Sequence, residues 1–242
     1  MQPKATTLIT GAGKRIGAAM ARHLAARGHD LVLHYGSSAA EAEALASELR
    51  GAVQVMLRQA DLRDTAALAT FWDGLPPVTN LIHNASTYRR DSIADFTAAD
   101  LREHLAVNLE APLLLTQGFM NQLPADASGN VVLLGDDALG WSVSPHFFTY
   151  SVSKQALRAT TELLAASCAP RVRANMIALA PTLPGETDSE AMFARLAERA
   201  PLKRTGTVEE VLAALDYVLS APGLTGQVIG LGNGMGLTVA RP

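Results

Sequence analysis

Tyr150 and Lys154 stand four residues apart, so on a helix they share one face about a turn apart. A phenol of reference pKa about 10 is a weak acid at neutral pH, and an adjacent ammonium stabilises its phenolate and brings it nearer to working range. Alone, such a pair is ordinary helix-surface chemistry. A second motif changes its weight. Thr10-Gly11-Ala12-Gly13-Lys14-Arg15-Ile16-Gly17 follows a strand-like run and opens a helical one. There small residues let the backbone approach a pyrophosphate, and the helix N-terminus faces its charge.

Cofactor choice is read after the second strand-like run, where an acidic residue would hold ribose hydroxyls. The sequence there is His34-Tyr35-Gly36-Ser37-Ser38. No carboxylate stands there to repel a 2′-phosphate, and Ser37, Ser38, Lys14 and Arg15 could bind one, so NADPH is expected; solvated helix-start charges are the plainer reading of the two cations. Asp61 and Asn84-Ala85-Ser86 fall where the third and fourth runs end, at the carboxyl edge of a parallel sheet. Asp61 reads equally well as a helix cap. Tyr88, four residues beyond Asn84, is expected to stack on a substrate ring, or else to be a half-exposed loop tyrosine.

The elements that must position these residues alternate along the chain. Strand-like runs cover Thr6–Thr10, Leu31–His34, Val53–Leu57, Asn80–His83, Val131–Leu134, Val172–Ile177 and Gln227–Leu231. Helical patterns lie between them, ending before Gly28 and Gly51, then over Thr65–Phe71, Leu101–Leu123, Ser151–Ser167, Ala191–Arg199 and Val208–Leu219. Such alternation predicts an α/β doubly wound parallel sheet, a Rossmann fold, in one domain over residues 1–242. The Pro- and Gly-bearing stretch after the sixth strand, about 181–203, is expected to act as a lid.

Composition narrows the classes. The 242 residues are 48% hydrophobic and 18% charged with net charge −3, which excludes a disordered chain and gives no electrostatic footprint for nucleic acid or an anionic membrane. One cysteine, Cys168, excludes an intrachain disulfide and a Cys-rich zinc site, and the six histidines show no metal-binding spacing. Met1-Gln2-Pro3-Lys4 leads straight into the first run without a signal-like apolar stretch, so a soluble cytoplasmic protein is expected.

With the glycine turn, Asp61, Asn84-Ala85, Asn108 and Tyr150-Ser151-Val152-Ser153-Lys154 in hand, the chain resembles the short-chain dehydrogenase/reductase family over nearly its whole length. Its departures resemble one branch. Asp137 stands thirteen before the tyrosine where most members carry serine, Arg15 replaces a central glycine, and His83-Asn84-Ala85-Ser86 replaces Asn-Asn-Ala-Gly. These are similar to the pteridine and dihydromonapterin reductases. On that resemblance Asp137 is expected to relay a proton through Tyr150, with a solvated loop acid as the plain alternative, since Asp136 stands beside it. The resemblance implies Tyr150 as proton donor, Lys154 as its electrostatic partner and ribose holder, and Asn108 as support for a relay water. It further implies a cofactor shell of Gly11, Lys14, Arg15, Ile16, Gly17, His34, Tyr35, Ser37, Ser38, Asp61, Leu62, Asn84, Ala85, Ser86, Tyr150, Lys154 and Pro181. Arg15, Ser86, Tyr88, Asp137 and Tyr150 would meet the substrate, a dihydropterin or related ring, in a homotetramer. A reductase of small carbonyl compounds and a non-catalytic NADP-binding sensor are the alternatives. Pro181-Thr182 and Gly232-Asn233-Gly234 depart from the family's usual patterns, and Ser37 stands near where the branch often has an arginine.

Overall fold

The computed structural model describes residues 4–140, 145–184 and 190–237. Seven strands, β1 (Thr6–Ile9), β2 (Asp30–Tyr35), β3 (Val55–Gln59), β4 (Asn80–His83), β5 (Gly129–Asp136), β6 (Val172–Leu179) and β7 (Val228–Gly230), form one sheet. Its order is β3-β2-β1-β4-β5-β6-β7, with every pairing parallel. The order reverses between β1 and β4, which opens a crevice at their carboxyl ends where such sheets bind ligands.

Both faces are covered. On one, Met20, Leu24, Leu45 and Leu215 from α1 (Arg15–Ala26), α2 (Ala39–Leu49) and the last helix pack against Ile9, Leu33, Ile82 and Val132. On the other, Leu115, Phe119 and Leu157 meet Leu8, Leu81, Val131 and Leu133. Consecutive residues Leu8 and Ile9 therefore serve opposite cores, as the two-residue strand period requires.

The helix expected over Leu101–Leu123 is two: α3 (Ala98–Leu105) and α4 (Ala111–Gln122), joined by a π-helical turn, Ala106–Glu110. Pro112 has no N–H to return to the Asn108 carbonyl, so the ladder widens there, and Ala111 N–H bonds the Ala106 carbonyl instead. The expected Thr65–Phe71 helix shrinks to a 3-10 turn, Ala67–Thr70, with Gly74 at φ +72° close behind. α5 (Phe148–Cys168), α6 (Glu190–Arg199) and α7 (Val208–Ser220) lie where expected. Capping boxes Thr97/Asp100 and Thr207/Glu210 start α3 and α7. Opposite the crevice, at the amino edge, Asn130 donates to Asn80 (2.7 Å), Asn80 to Thr7 (3.1 Å), and Thr7 meets His29 (2.9 Å).

Candidate active site

The glycine turn is built on close approach. Gly11 has φ +64°, and a Cβ at Gly17 would stand 2.3 Å from the Gly11 carbonyl and 2.7 Å from Asn84 Nδ2. Asn84 Nδ2 donates to the carbonyls of Thr10 and Gly11, both at 2.9 Å, while Thr10 Oγ1 accepts from the backbone of Asn84 and Ala85 at 3.0 Å. The strand end, the turn and the tip of β4 are thus one rigid piece. Thr10 had no signal in the sequence beyond its place before the turn. α1 starts here with no side-chain cap and no acid in its first turn, leaving its N–H groups and positive dipole end suited to a phosphate. A turn that a Cβ would fill, at an uncapped helix start, fits a dinucleotide pyrophosphate.

His34 lies beneath it, almost fully buried. Gly11 N–H donates to Nδ1 (3.1 Å) and Nε2 lies 3.1 Å from the Ala60 carbonyl, so the ring is neutral with its proton on Nε2. Burial pulls its pKa down to about 4. It holds the turn from below. Leu62 likewise lies in the core rather than at an open surface.

The expected phosphate-binding cations have partners. Lys14 Nζ stands 2.6 Å from Glu41, and the Arg15 guanidinium, on a residue at φ +53°, donates to the carbonyls of Pro184 (2.9 Å) and Leu183 (3.2 Å). Arg15 therefore joins the glycine turn to the segment after β6, where the Pro181 carbonyl accepts from Gly206 N–H (2.9 Å). Part of the expected lid, 185–189, lies outside the described residues. Ser37 is exposed and Ser38 is the residue before α2, beside Gly13. Ile16 packs on the core, and Tyr35, half-buried at the end of β2, accepts from Ala60 N–H through its carbonyl. Asp61 is clasped by Arg63 (2.7 and 2.9 Å) and accepts from its N–H (3.0 Å), so it serves as a local turn cap.

Tyr150 and Lys154 project from the first turns of α5 and are buried. The Tyr150 hydroxyl donates to Asp136 Oδ2 at 3.2 Å. Asp136, not the expected Asp137, faces the phenol. Its other oxygen accepts from Ala138 N–H (2.9 Å) in the turn that follows β5. Asp137 lies against β7 instead, so close that a Cβ on Gly230 or Gly232 would collide with its carboxylate. Burial, then the Asp136 carboxylate, raises the Tyr150 pKa well above the usual phenol range. Burial raises Asp136 as well. Lys154 Nζ donates to the Leu134 carbonyl (3.0 Å), and burial lowers its pKa to about 8 against the opposing pull of Asp136.

Asn108 sits in the π turn, fully buried. It donates to Ser153 Oγ and the Thr87 carbonyl, both at 3.0 Å, and accepts from Thr87 N–H (2.8 Å) and Ser86 Oγ (3.1 Å). Ser153 Oγ in turn donates to the Tyr150 carbonyl (2.7 Å). The amide binds the loop after β4 to the catalytic-type helix. Tyr88 on that loop stacks on Phe147 (4.6 Å, 12°) and meets Tyr150 edge-on (4.8 Å, 84°), and is 55% exposed at the mouth of the site. Nothing in the sequence marks Phe147 as part of the site; Ser153 shows there only as a residue of the Tyr150–Lys154 motif, and Asp136 only as half of a doublet with Asp137.

Residues 5–194 match the short chain dehydrogenase family. The chain belongs to that family. It is an oxidoreductase using a nicotinamide cofactor, and the phenol, ammonium and glycine turn lie along one crevice as that chemistry needs. It is 32% identical, over 92% of both chains, to a putative ketoacyl reductase of granaticin polyketide synthesis from Streptomyces violaceoruber. It is 27% identical to a dihydromonapterin reductase from Enterobacter, covering 96% of this chain and 97% of that one. A crystal structure of FolM alternative dihydrofolate reductase 1 from Brucella suis, in complex with NADP, superposes with TM-score 0.92 at 33% identity, over 100% and 99% of the two chains. Among the described residues no helix is long and apolar enough to cross a membrane, and no His/Cys/Asp/Glu group could hold a metal.

Proposed function

We propose that the chain is an NADPH-dependent reductase acting on the C=N bond of a dihydropterin-like ring. The observation that carries this reading is the hydrogen bond between Tyr150 and Asp136 beside buried Lys154. Hydride addition to either bond must be matched by a full proton, on oxygen for a ketone and on nitrogen for C=N. The ring nitrogen is the more basic and is protonated as or before hydride arrives, an order that a carboxyl group beside the phenol favours. A carboxyl group whose pKa burial has raised can hold that proton and pass it on. The Brucella FolM and Enterobacter dihydromonapterin reductase relationships support the same substrate class.

The cofactor would lie with its pyrophosphate on the turn Gly11–Gly17 and its adenosine end toward Ser37, Ser38 and Lys14. When bound, its nicotinamide supplies a hydride to the ring carbon. Tyr150 gives its hydroxyl proton to the ring nitrogen, the Lys154 ammonium stabilises the phenolate as it forms, and Asp136, after taking up a proton from solvent, passes it to the phenol oxygen. Asn108 fixes the loop that bears Ser86 and Tyr88. Tyr88 offers the substrate ring an aromatic surface, a contact worth about 0.5–1.5 kcal/mol beyond burial, and Leu183 and Pro184, held by Arg15, would begin the lid. A cytoplasmic homotetramer is the assembly that goes with this reading.

The test is NADPH oxidation followed spectrophotometrically against a panel of dihydropterins, dihydrofolate and small ketones. Turnover of dihydropterins well above ketones is expected. The reverse order would favour a carbonyl reductase, the reading that the 32% identical ketoacyl reductase supports.

A further inference from the structure

α5 carries Tyr150 and Lys154, yet its own cap position is Phe147, which has no oxygen to offer the orphan N–H groups of a 21-residue helix. The missing acceptor comes from elsewhere. Asp91, 58 residues earlier, takes Thr149 N–H on Oδ1 (3.1 Å) and the Thr149 hydroxyl on Oδ2. Its backbone is tied to the same place: Asp91 N–H donates to the His146 carbonyl (3.2 Å), and Phe148 N–H to the Asp91 carbonyl (3.4 Å). Together they form a parallel bridge between Asp91 and Phe147. With its own proton committed to Asp91, Thr149 Oγ1 accepts from His104 Nδ1 (2.8 Å), whose ring stands edge-on to Tyr150 at 6.3 Å.

Asp91 ends the loop that bears Ser86 and Tyr88, and Thr149 is the residue before Tyr150. We infer that Asp91 is a positioning residue: by capping α5 from the substrate loop, it sets the Tyr150 hydroxyl and the Tyr88–Phe147 aromatic pair at a fixed separation, so that substrate platform and proton donor move as one body. A carboxylate at the positive end of the helix is favourable in its own right. The function added here is registration, because a reacting atom displaced by about 1 Å can cost on the order of a hundredfold in rate. The inference rests on Tyr150 being the proton donor of the proposed reaction.

The experiment compares Asp91→Ala, Asp91→Asn, Thr149→Val and Thr149→Ser with wild type, well below each variant's melting temperature. Asp91→Ala and Thr149→Val should each lower kcat tenfold or more and raise the substrate KM several-fold. The dissociation constant for NADPH, whose cradle lies at the glycine turn, should stay within twofold. Thr149→Ser, which keeps the hydroxyl, should restore both constants, and the double variant Asp91→Ala/Thr149→Val should be no worse than the poorer single one, as partners in one interaction require. Unchanged kcat and KM in a folded variant, additive effects, or loss of NADPH binding in step with turnover would overturn it. If wild type ignores dihydropterins, the pterin reading fails and the same comparison is run on a ketone. Hydrogen exchange gives a readout free of substrate: amides at Phe148 to Tyr150 should open at least tenfold faster in Asp91→Asn and Thr149→Val, relative to the middle of α5. Equal exchange rates would reject the cap.

Discussion

At the tip of β5, Asp136 turns its carboxylate to the Tyr150 hydroxyl while Asp137 lies against the glycines of β7. Asp136→Asn should therefore cut turnover tenfold or more while NADPH binding persists, and Asp137→Asn should do so less; steady-state kinetics of the two variants decides between them, since equal losses would return Asp137 to the proton path. Tyr150→Phe, which keeps the ring and removes the proton, should lower kcat on the order of a hundredfold. Lys154 provides a pH signature. With its pKa near 8, the ammonium is present below that value and lost above it, so kcat/KM should fall as pH rises through about 8. In Lys154→Arg, which stays charged, the residual activity should lack that alkaline limb. The sequence displayed the doublet but could not rank its members. Counting thirteen back from the tyrosine selects Asp137, whereas the choice is made by the turn after β5, whose Ala138 N–H takes one Asp136 oxygen and leaves the other to the phenol.

The strands were legible because Val, Leu and Ile runs bounded by Gly, Asp and Asn have few other uses in a chain of this composition, and observed strands match the expected ones to within two residues at every end. Helices were read less well where one residue changes the hydrogen-bond ladder. Periodicity runs straight through Leu101–Leu123, and Pro112 alone betrays the π turn that swings Asn108 into the site. Long-range pairings such as Arg15 with Leu183 and Pro184, or Asp91 with Thr149, leave no spacing signal at all. Between α1 and α2, Glu41 holds the Lys14 ammonium at 2.6 Å, in the place proposed for a 2′-phosphate. Glu41→Gln should free that cation and tighten NADPH several-fold with little change for NADH, and Ser37→Asp should reverse the preference by repulsion. Fluorescence titration with both dinucleotides is the measurement; an unaltered ratio in Glu41→Gln would mean that Lys14 does not meet the phosphate.

Among the described residues three histidines are buried, His34, His83 and His104, and burial is the chief cause that lowers the pKa of each, His34 to about 4 and His83 to about 3. An unfolded chain would protonate them near 6.5. Between those values the unfolded state binds more protons, so stability rises with pH across this window and is lost as pH falls through it. For His34 alone the loss is on the order of 3 kcal/mol. Thermal melts from pH 7 to 4 should show a falling Tm, with a shallower slope in His34→Asn. Protonation would also set an N–H on Nδ1 against the Gly11 N–H that it now accepts, so dinucleotide affinity of the folded protein should weaken as the pH approaches about 4. At the far edge of the sheet, the chain of contacts from Asn130 through Asn80 and Thr7 to His29 has no part in any of this chemistry. The length of the strands insulates it from the crevice. For protein engineering that edge is the place to randomise: a library confined to those four positions and their neighbours can be sorted for heat resistance alone, and its survivors should inherit the parent's catalytic constants without rescreening.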